Sequence, residues 1–128
     1  MITSFMLVLM TQHLEEQISF YHDTIGLDLI FHHSESAGLG KNDQLYVILR
    51  KDTAENSHHL TEQKGPQIIT FQCQGYLEQF AKKIISVGYT VRNKLYLEEQ
   101  GMQYLCVEDF DGNEVCFGFS LKESELNL

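Results

Sequence analysis

Basic residues are scarce in this chain: nine lysines and arginines stand against eighteen aspartates and glutamates, a formal net charge of -9. A surface of that sign repels phosphate backbones, so no nucleic acid is expected as a partner. It suits a neutral or cationic small molecule, and it also serves plain solubility. Long apolar runs are missing. The longest, Phe5 to Met10, falls far short of the roughly 20 residues that span a bilayer, so no membrane partner is expected either. The N-terminal residues show neither the basic flank nor the small-residue cleavage site of a secretory leader. Cysteine is sparse: Cys73, Cys106 and Cys116 are odd in number and contain no close-spaced pair. That pattern points to reduced thiols in a cytoplasmic protein rather than a disulfide framework. Proline occurs once, at Pro66, inside the polar stretch Lys51 to Pro66, which has no hydrophobic periodicity and reads as a connector.

What is present is enough for a core. Hydrophobic residues make up 43% of the 128 residues, typical of a globular protein and too many for a disordered one. A chain of this length fits one domain, 1–128. The connector divides it into two halves that look alike, about 3–50 and 67–121, with 51–66 between them and a tail at 122–128. The first half opens with an apolar strand, Ser4 to Met10. A helix follows, in which Leu14, Ile18, Tyr21 and Ile25 form one stripe and Gly26 offers a left-handed cap. Three strands come next, at Leu27 to His33, around Ala37 to Gly40, and at Gln44 to Arg50. The second half repeats the order. A strand at Gln67 to Cys73 leads to a helix with Leu77, Phe80, Ala81, Ile84 and Ile85 on one face, stopped at Gly88. Strands at Thr90 to Leu97, Met102 to Glu108 and Glu114 to Leu121 complete it. The last two are joined by Asp109-Phe110-Asp111-Gly112-Asn113, whose Asp-Gly step signals a hairpin.

A shift of 62 residues, the separation of Met6 from Ile68, superimposes the fronts of the halves. It pairs Leu7 with Ile69, Leu9 with Phe71, Glu16-Gln17-Ile18 with Glu78-Gln79-Phe80, and Gly26 with Gly88. His13 and Gly75 each precede a glutamate by three residues, where a capping interaction can form. The repeated order of elements indicates two copies of one strand, helix, three-strand unit.

A helix carrying Phe20-Tyr21 and then Ile25-Gly26-Leu27, together with the Asp109 to Asn113 turn, resembles the vicinal oxygen chelate superfamily. That superfamily contains glyoxalase I, extradiol dioxygenases, and the fosfomycin- and bleomycin-resistance proteins. The turn matches the superfamily's Asp-Pro-Asp-Gly-Asn pattern with Phe110 in place of proline, and the likeness runs from residue 3 to about 121. The resemblance implies an α+β fold. In it, two βαβββ modules pair into a curved, mostly antiparallel, eight-stranded open sheet around a cup, with helices outside, often within a homodimer.

In metal-dependent members of that superfamily the cup holds a divalent ion between histidine and glutamate ligands on the first and last strands of each unit. The ion serves as a Lewis acid for substrates with neighbouring oxygens. Aligned on Phe20-Tyr21, the first-strand position falls at Met6, and the repeat shift carries it to Ile68. Counting on from Gly112-Asn113 puts the last-strand position at Cys116, and matching strand alternation puts the fourth at Tyr46 or Ile48. These side chains do not suit a hard divalent ion, which takes imidazole or carboxylate. A one-residue slip would turn each candidate to the other face of its strand. The slipped positions, Phe5 or Leu7 and Gln67 or Ile69, restore no ligand. The expectation is therefore no metal and no cofactor.

The histidines do not replace the missing set. His32-His33 and His58-His59 are adjacent pairs whose members point to opposite faces of a strand. His13 sits at a helix start and His22 on the helix's outer side. Cys116 would face the cup without a histidine beside it to make it a nucleophile. Cys73 shares parity with Ile69 and Phe71 and belongs to the helix side. Strand alternation nominates Met6, Val8, Met10, Tyr46, Ile48, Arg50, Ile68, Thr70, Gln72, Glu114, Cys116 and Gly118 as the cup lining, with Arg92, Tyr96 and Tyr104 from the sixth and seventh strands. A mostly apolar and aromatic lining with few polar groups is what small-molecule pockets have. The expected function is binding of a small organic molecule without transforming it, as in the bleomycin-resistance type. The alternatives are a metal-dependent lyase or dioxygenase with non-standard ligands, and a protein whose cup has filled in.

Overall fold

The computed structural model describes residues 1–53, 67–97 and 101–120, apart from the side chains of 92–97. It divides into two compact units, Met1–Gly65 and Pro66–Leu128. Each is an α+β unit with a four-stranded sheet. In the first, β1 is Leu7–Thr11, α1 is Leu14–Ile18, β2 is Asp28–His32, β3 is Ser36–Lys41 and β4 is Gln44–Lys51. In the second, β5 is Ile68–Cys73, α2 is Leu77–Ser86, β6 is Val91–Leu97, β7 is Met102–Glu108 and β8 is Glu114–Ser120. The sheet orders are β1-β4-β3-β2 and β5-β8-β7-β6, the same sequence of first, fourth, third and second strand. In each sheet the first and fourth strands are parallel and the other pairs antiparallel.

Strand alternation explains where each core lies. In the first unit Leu9 and Thr11 on β1, Ala37 and Leu39 on β3, and Val47 and Leu49 on β4 are buried. In the second, Ile69 of β5, Leu105 and Val107 of β7, and Val115, Phe117 and Phe119 of β8 are buried with Leu77 and Ile84 of α2. The Phe80 ring of α2 lies 4.7 Å from Phe117 and 5.7 Å from Phe119, and Phe71 stacks on Phe117 at 5.8 Å. Cys73 follows this parity, opposite Phe119.

Several local expectations are corrected. The strand expected from Ser4 begins at Leu7, which leaves Met6 outside it. The continuous helix expected through Ile25 is α-helical only to Ile18. From Ser19 to Thr24 it widens into a π-helical segment, where the Ile25 N–H bonds the Phe20 carbonyl at 3.0 Å. Widening lets two consecutive aromatic residues reach the core. Phe20 and Tyr21 are both buried, with their rings edge to face at 4.9 Å. Neither helix is closed by a side-chain cap at its start: the N-cap residues are His13 and Tyr76, not Gly75. The left-handed stops do form, with Gly26 at φ 95° and Gly88 at φ 100°. The strand expected around Ala37 to Gly40 runs from Ser36 to Lys41 and turns directly into β4 through Asn42 and Asp43, both at positive φ. Most of the connector, the tail, and His58 and His59 lie outside the described residues. No helix among those described is long and apolar enough to cross a membrane.

Candidate functional site

The residues nominated for the cup are those of opposite parity to the core, on the sheet face turned away from the helix. In the second unit, register places Ile68 beside Glu114, Thr70 beside Cys116 and Gln72 beside Gly118. Across the other edge of β8 stand Glu108, Cys106 and Tyr104, opposite Glu114, Cys116 and Gly118 in turn. Gly118 matters here because it has no side chain. A Cβ at that position would lie 2.8 Å from Tyr104 Cε1 and 3.0 Å from Met102 Cε, so the tyrosine ring and the methionine tip occupy the space above the glycine. Ile68, Thr70 and Gln72 are exposed.

The hairpin that holds this face in register is fixed by Asp109. Its Oδ1 accepts the backbone N–H of Asp111 at 3.0 Å and of Asn113 at 2.8 Å, and its Oδ2 accepts Asn113 Nδ2 at 2.8 Å. Asn113 Oδ1 in turn accepts the Gln67 N–H at 2.9 Å, tying the start of β5 to the turn. The aspartate and asparagine of the motif therefore act as structure.

In the first unit Val8 lies beside Ile48 and Met10 beside Arg50 on the parallel pair. Met6 precedes β1 and is 43% exposed. Gly38 of β3 stands opposite Ile48 of β4, and a side chain there would run into the Phe31 ring and Leu45. Tyr46 has no partner on β3. The register passes from Val47 to Leu45 opposite Leu39 and Gly40, so Tyr46 is the extra residue of a β-bulge. Of the two candidates for the fourth position, Ile48 is the one in regular register. Tyr104 lies where described above, while the side chains of Arg92 and Tyr96 are outside the described residues.

Two readings of the cysteines change. Cys106 and Cys116, expected as reduced thiols, form a disulfide. They are a directly opposed cross-strand pair with Cα atoms 4.1 Å apart. The signal was present in the sequence, since the two lie five residues either side of Asp111 at the hairpin's centre. Once a hairpin is placed there, they must face each other. Cys73 is the free thiol, and burial pushes it up to about 11 from an ordinary 9.0. A thiol held protonated in this way is a poor nucleophile. His22 bonds the Leu27 carbonyl through Nδ1 at 2.6 Å and His32 meets Glu15 at 3.2 Å, both at the surface.

The chain matches the profile of the Glyoxalase/Bleomycin resistance protein/Dioxygenase superfamily over residues 3–117. It belongs to that superfamily. Solved structures share its fold. An integron cassette protein from the mobile metagenome of the Halifax Harbour Sewage Outfall is 19% identical, with a TM-score of 0.73 over 92% of this chain and 99% of that one. A lactoylglutathione lyase from Agrobacterium tumefaciens is 16% identical, with a TM-score of 0.71 over 91% and 93%. A genomically encoded fosfomycin resistance protein from Listeria monocytogenes is 16% identical, with a TM-score of 0.71 over 97% and 99%. No curated protein matches the chain by sequence.

The positions nominated from the sequence as places for a hard divalent ion's ligands include Met6, which precedes β1. They hold the Met6 thioether, the Tyr46 phenol or Ile48 methyls, the Ile68 methyls, and a Cys116 sulfur bonded to Cys106. None offers an imidazole or a carboxylate, so this donor set does not fit such an ion.

Proposed function

We propose that this glyoxalase-superfamily chain binds a small organic molecule on the sheet surface turned away from its helices, without the hard divalent ion of metal-dependent relatives. The observation that carries the reading is the exposure of apolar side chains at two of the four nominated ligand positions, the other two being half-buried Tyr46 or Ile48 and buried Cys116. Ile68, at one ligand position, is 72% exposed, and Met6, at another, is 43% exposed. Apolar side chains left in solvent on a sheet face mark a surface that something apolar covers. Thr70, Gln72, Tyr104 and Arg50 supply the few polar groups that orient a ligand, and methionines adapt to varied ligand shapes. The net charge of -9 favours a neutral or cationic molecule over an anion.

In this proposal the protein is a cytoplasmic homodimer, and Arg92 and Tyr96 join the lining. The rival, a metal-dependent lyase or dioxygenase, has the donor set against it. The test is a thermal-shift panel of drug-like cations and neutral aromatics, run in EDTA and again with nickel, zinc, manganese or iron. The proposal expects at least one compound to raise the melting temperature equally in both conditions. A rise that requires added nickel, manganese or iron would support the rival and overturn this reading.

A further inference from the structure

We propose that the reduced chain carries a site for one thiophilic divalent cation, such as Zn2+, formed by Cys106 Sγ, Cys116 Sγ and a carboxylate oxygen of Glu114. These three donor atoms all lie within 4.8 Å of one another. Register explains why. Cys106 and Cys116 oppose each other across β7 and β8, and Glu114 is two residues before Cys116 on the same strand and therefore on the same face. The backbone that carries them is pinned by the Asp109 hairpin, so the donors need only side-chain motion to close on an ion.

The set differs in kind from the superfamily's hard-ion site. Two thiolates select zinc-like or softer ions, and one carboxylate completes three protein ligands. A fourth, open position is then left for water or an added ligand, as in catalytic zinc sites. Glu108 stands directly opposite Glu114 on the same face.

The disulfide and the metal exclude each other because both use the same sulfurs. Opening takes two electrons and two protons from a thiol-class reductant: two RSH become RSSR, and Cys106 and Cys116 become thiols. The cation then displaces the two thiol protons to solvent and binds the thiolates. The site is thus gated by reduction, and it stands apart from the organic-ligand proposal because its test contains no organic ligand.

The experiment uses the whole chain, reduced with a phosphine, freed of reductant under anaerobic conditions, and titrated with Co2+ as the spectroscopic probe. The expected result is one Co2+ per chain with sulfur-to-cobalt charge-transfer absorption in the near ultraviolet, displaced by Zn2+. The oxidised chain shows no such band. Cys106→Ser and Cys116→Ser each lose the two-sulfur band, Glu114→Gln weakens binding while keeping it, and Cys73→Ser changes nothing. A readout free of variants accompanies these: Zn2+ protects Cys106 and Cys116 of the reduced wild type from alkylation, mapped by mass spectrometry, and leaves Cys73 labelling unchanged. Equal binding by oxidised and reduced chains, cobalt binding without the sulfur band, or alkylation indifferent to zinc would overturn the site. Unchanged affinity in Glu114→Gln would overturn the place given to that carboxylate.

Discussion

Replacing Asp109 with alanine removes the group that holds β7, β8 and β5 in one register, and its cost can be worked from the hydrogen bonds. The side chain is 4% exposed and accepts three bonds of 2.8 to 3.0 Å, two of them from Asn113. A bond to a charged acceptor contributes about 1.5–3 kcal/mol net, and a buried donor left without its acceptor costs about 1–3 kcal/mol. Asp111 is exposed, so its N–H is rehydrated in the variant, whereas the buried Asn113 loses acceptors for its N–H and its amide. Counting only the two Asn113 bonds gives about 3–6 kcal/mol for Asp109→Ala, a large part of the roughly 5–15 kcal/mol that holds a domain together. Asp109→Asn should cost less, about 1–2 kcal/mol. It keeps one carbonyl oxygen but turns an amide N–H2 toward Asn113 Nδ2, and Asn113 cannot flip without releasing the Gln67 N–H. The assay is urea denaturation. With a slope of about 1.5 kcal/mol per molar, Asp109→Ala lowers the midpoint by about 2–4 M. A fall of less than about 0.5 M with an unchanged slope would refute the assignment of Asp109 as the tie of the hairpin.

Gly118→Ala drives a Cβ into Tyr104 and Met102. A loss of about 1–3 kcal/mol is expected, measured by the same denaturation, and no loss would mean the tyrosine ring is free to swing away. Ile68→Asp, at a 72% exposed position, should leave the unfolding free energy within about 0.5 kcal/mol of wild type. It should abolish the ligand-induced rise in melting temperature for a neutral aromatic compound; a retained rise would remove Ile68 from the ligand face. Alkylation of Cys73 should be slow at neutral pH and speed up with each pH increment until about pH 11, since only the thiolate reacts. The same shift has a stability consequence. The folded thiol holds its proton more tightly than the unfolded one, so stability is whole below pH 9.0 and is lost as pH rises through about 11. Fast, pH-independent labelling at neutrality would contradict the burial of this thiol.

The parts of the fold that obey strand parity were legible in the sequence, because alternation depends only on which residue follows which. The core members Leu9, Leu49, Ile69 and Phe117 and the opposite-face residues Val8, Ile48, Thr70 and Gly118 all follow from it. The same is true of the Asp109 turn, whose chemistry is local. What was not legible depends on backbone departures from regularity or on pairings across strands. The π-helical widening at Ser19 to Thr24 leaves the apolar stripe intact, since Leu14, Ile18 and Tyr21 are buried in either geometry. Tyr46 and Ile48 share strand parity, so alternation alone does not choose between them, and only the bulge at Tyr46 sets them apart. An odd count of three cysteines points to free thiols, whereas the equal distance of Cys106 and Cys116 from the turn's centre is the informative quantity. Glu114 was nominated only as lining, because its nearness to both sulfurs appears once β7 and β8 are aligned.

The central claim is that this superfamily scaffold binds an organic molecule without a hard metal ion. It is tested most directly by calorimetric titration of the best thermal-shift compound into the oxidised chain, in EDTA and again in buffer with excess Ni2+ or Mn2+. The account predicts saturable binding with the same affinity in both buffers. Binding that vanishes in EDTA and returns with either ion would contradict it.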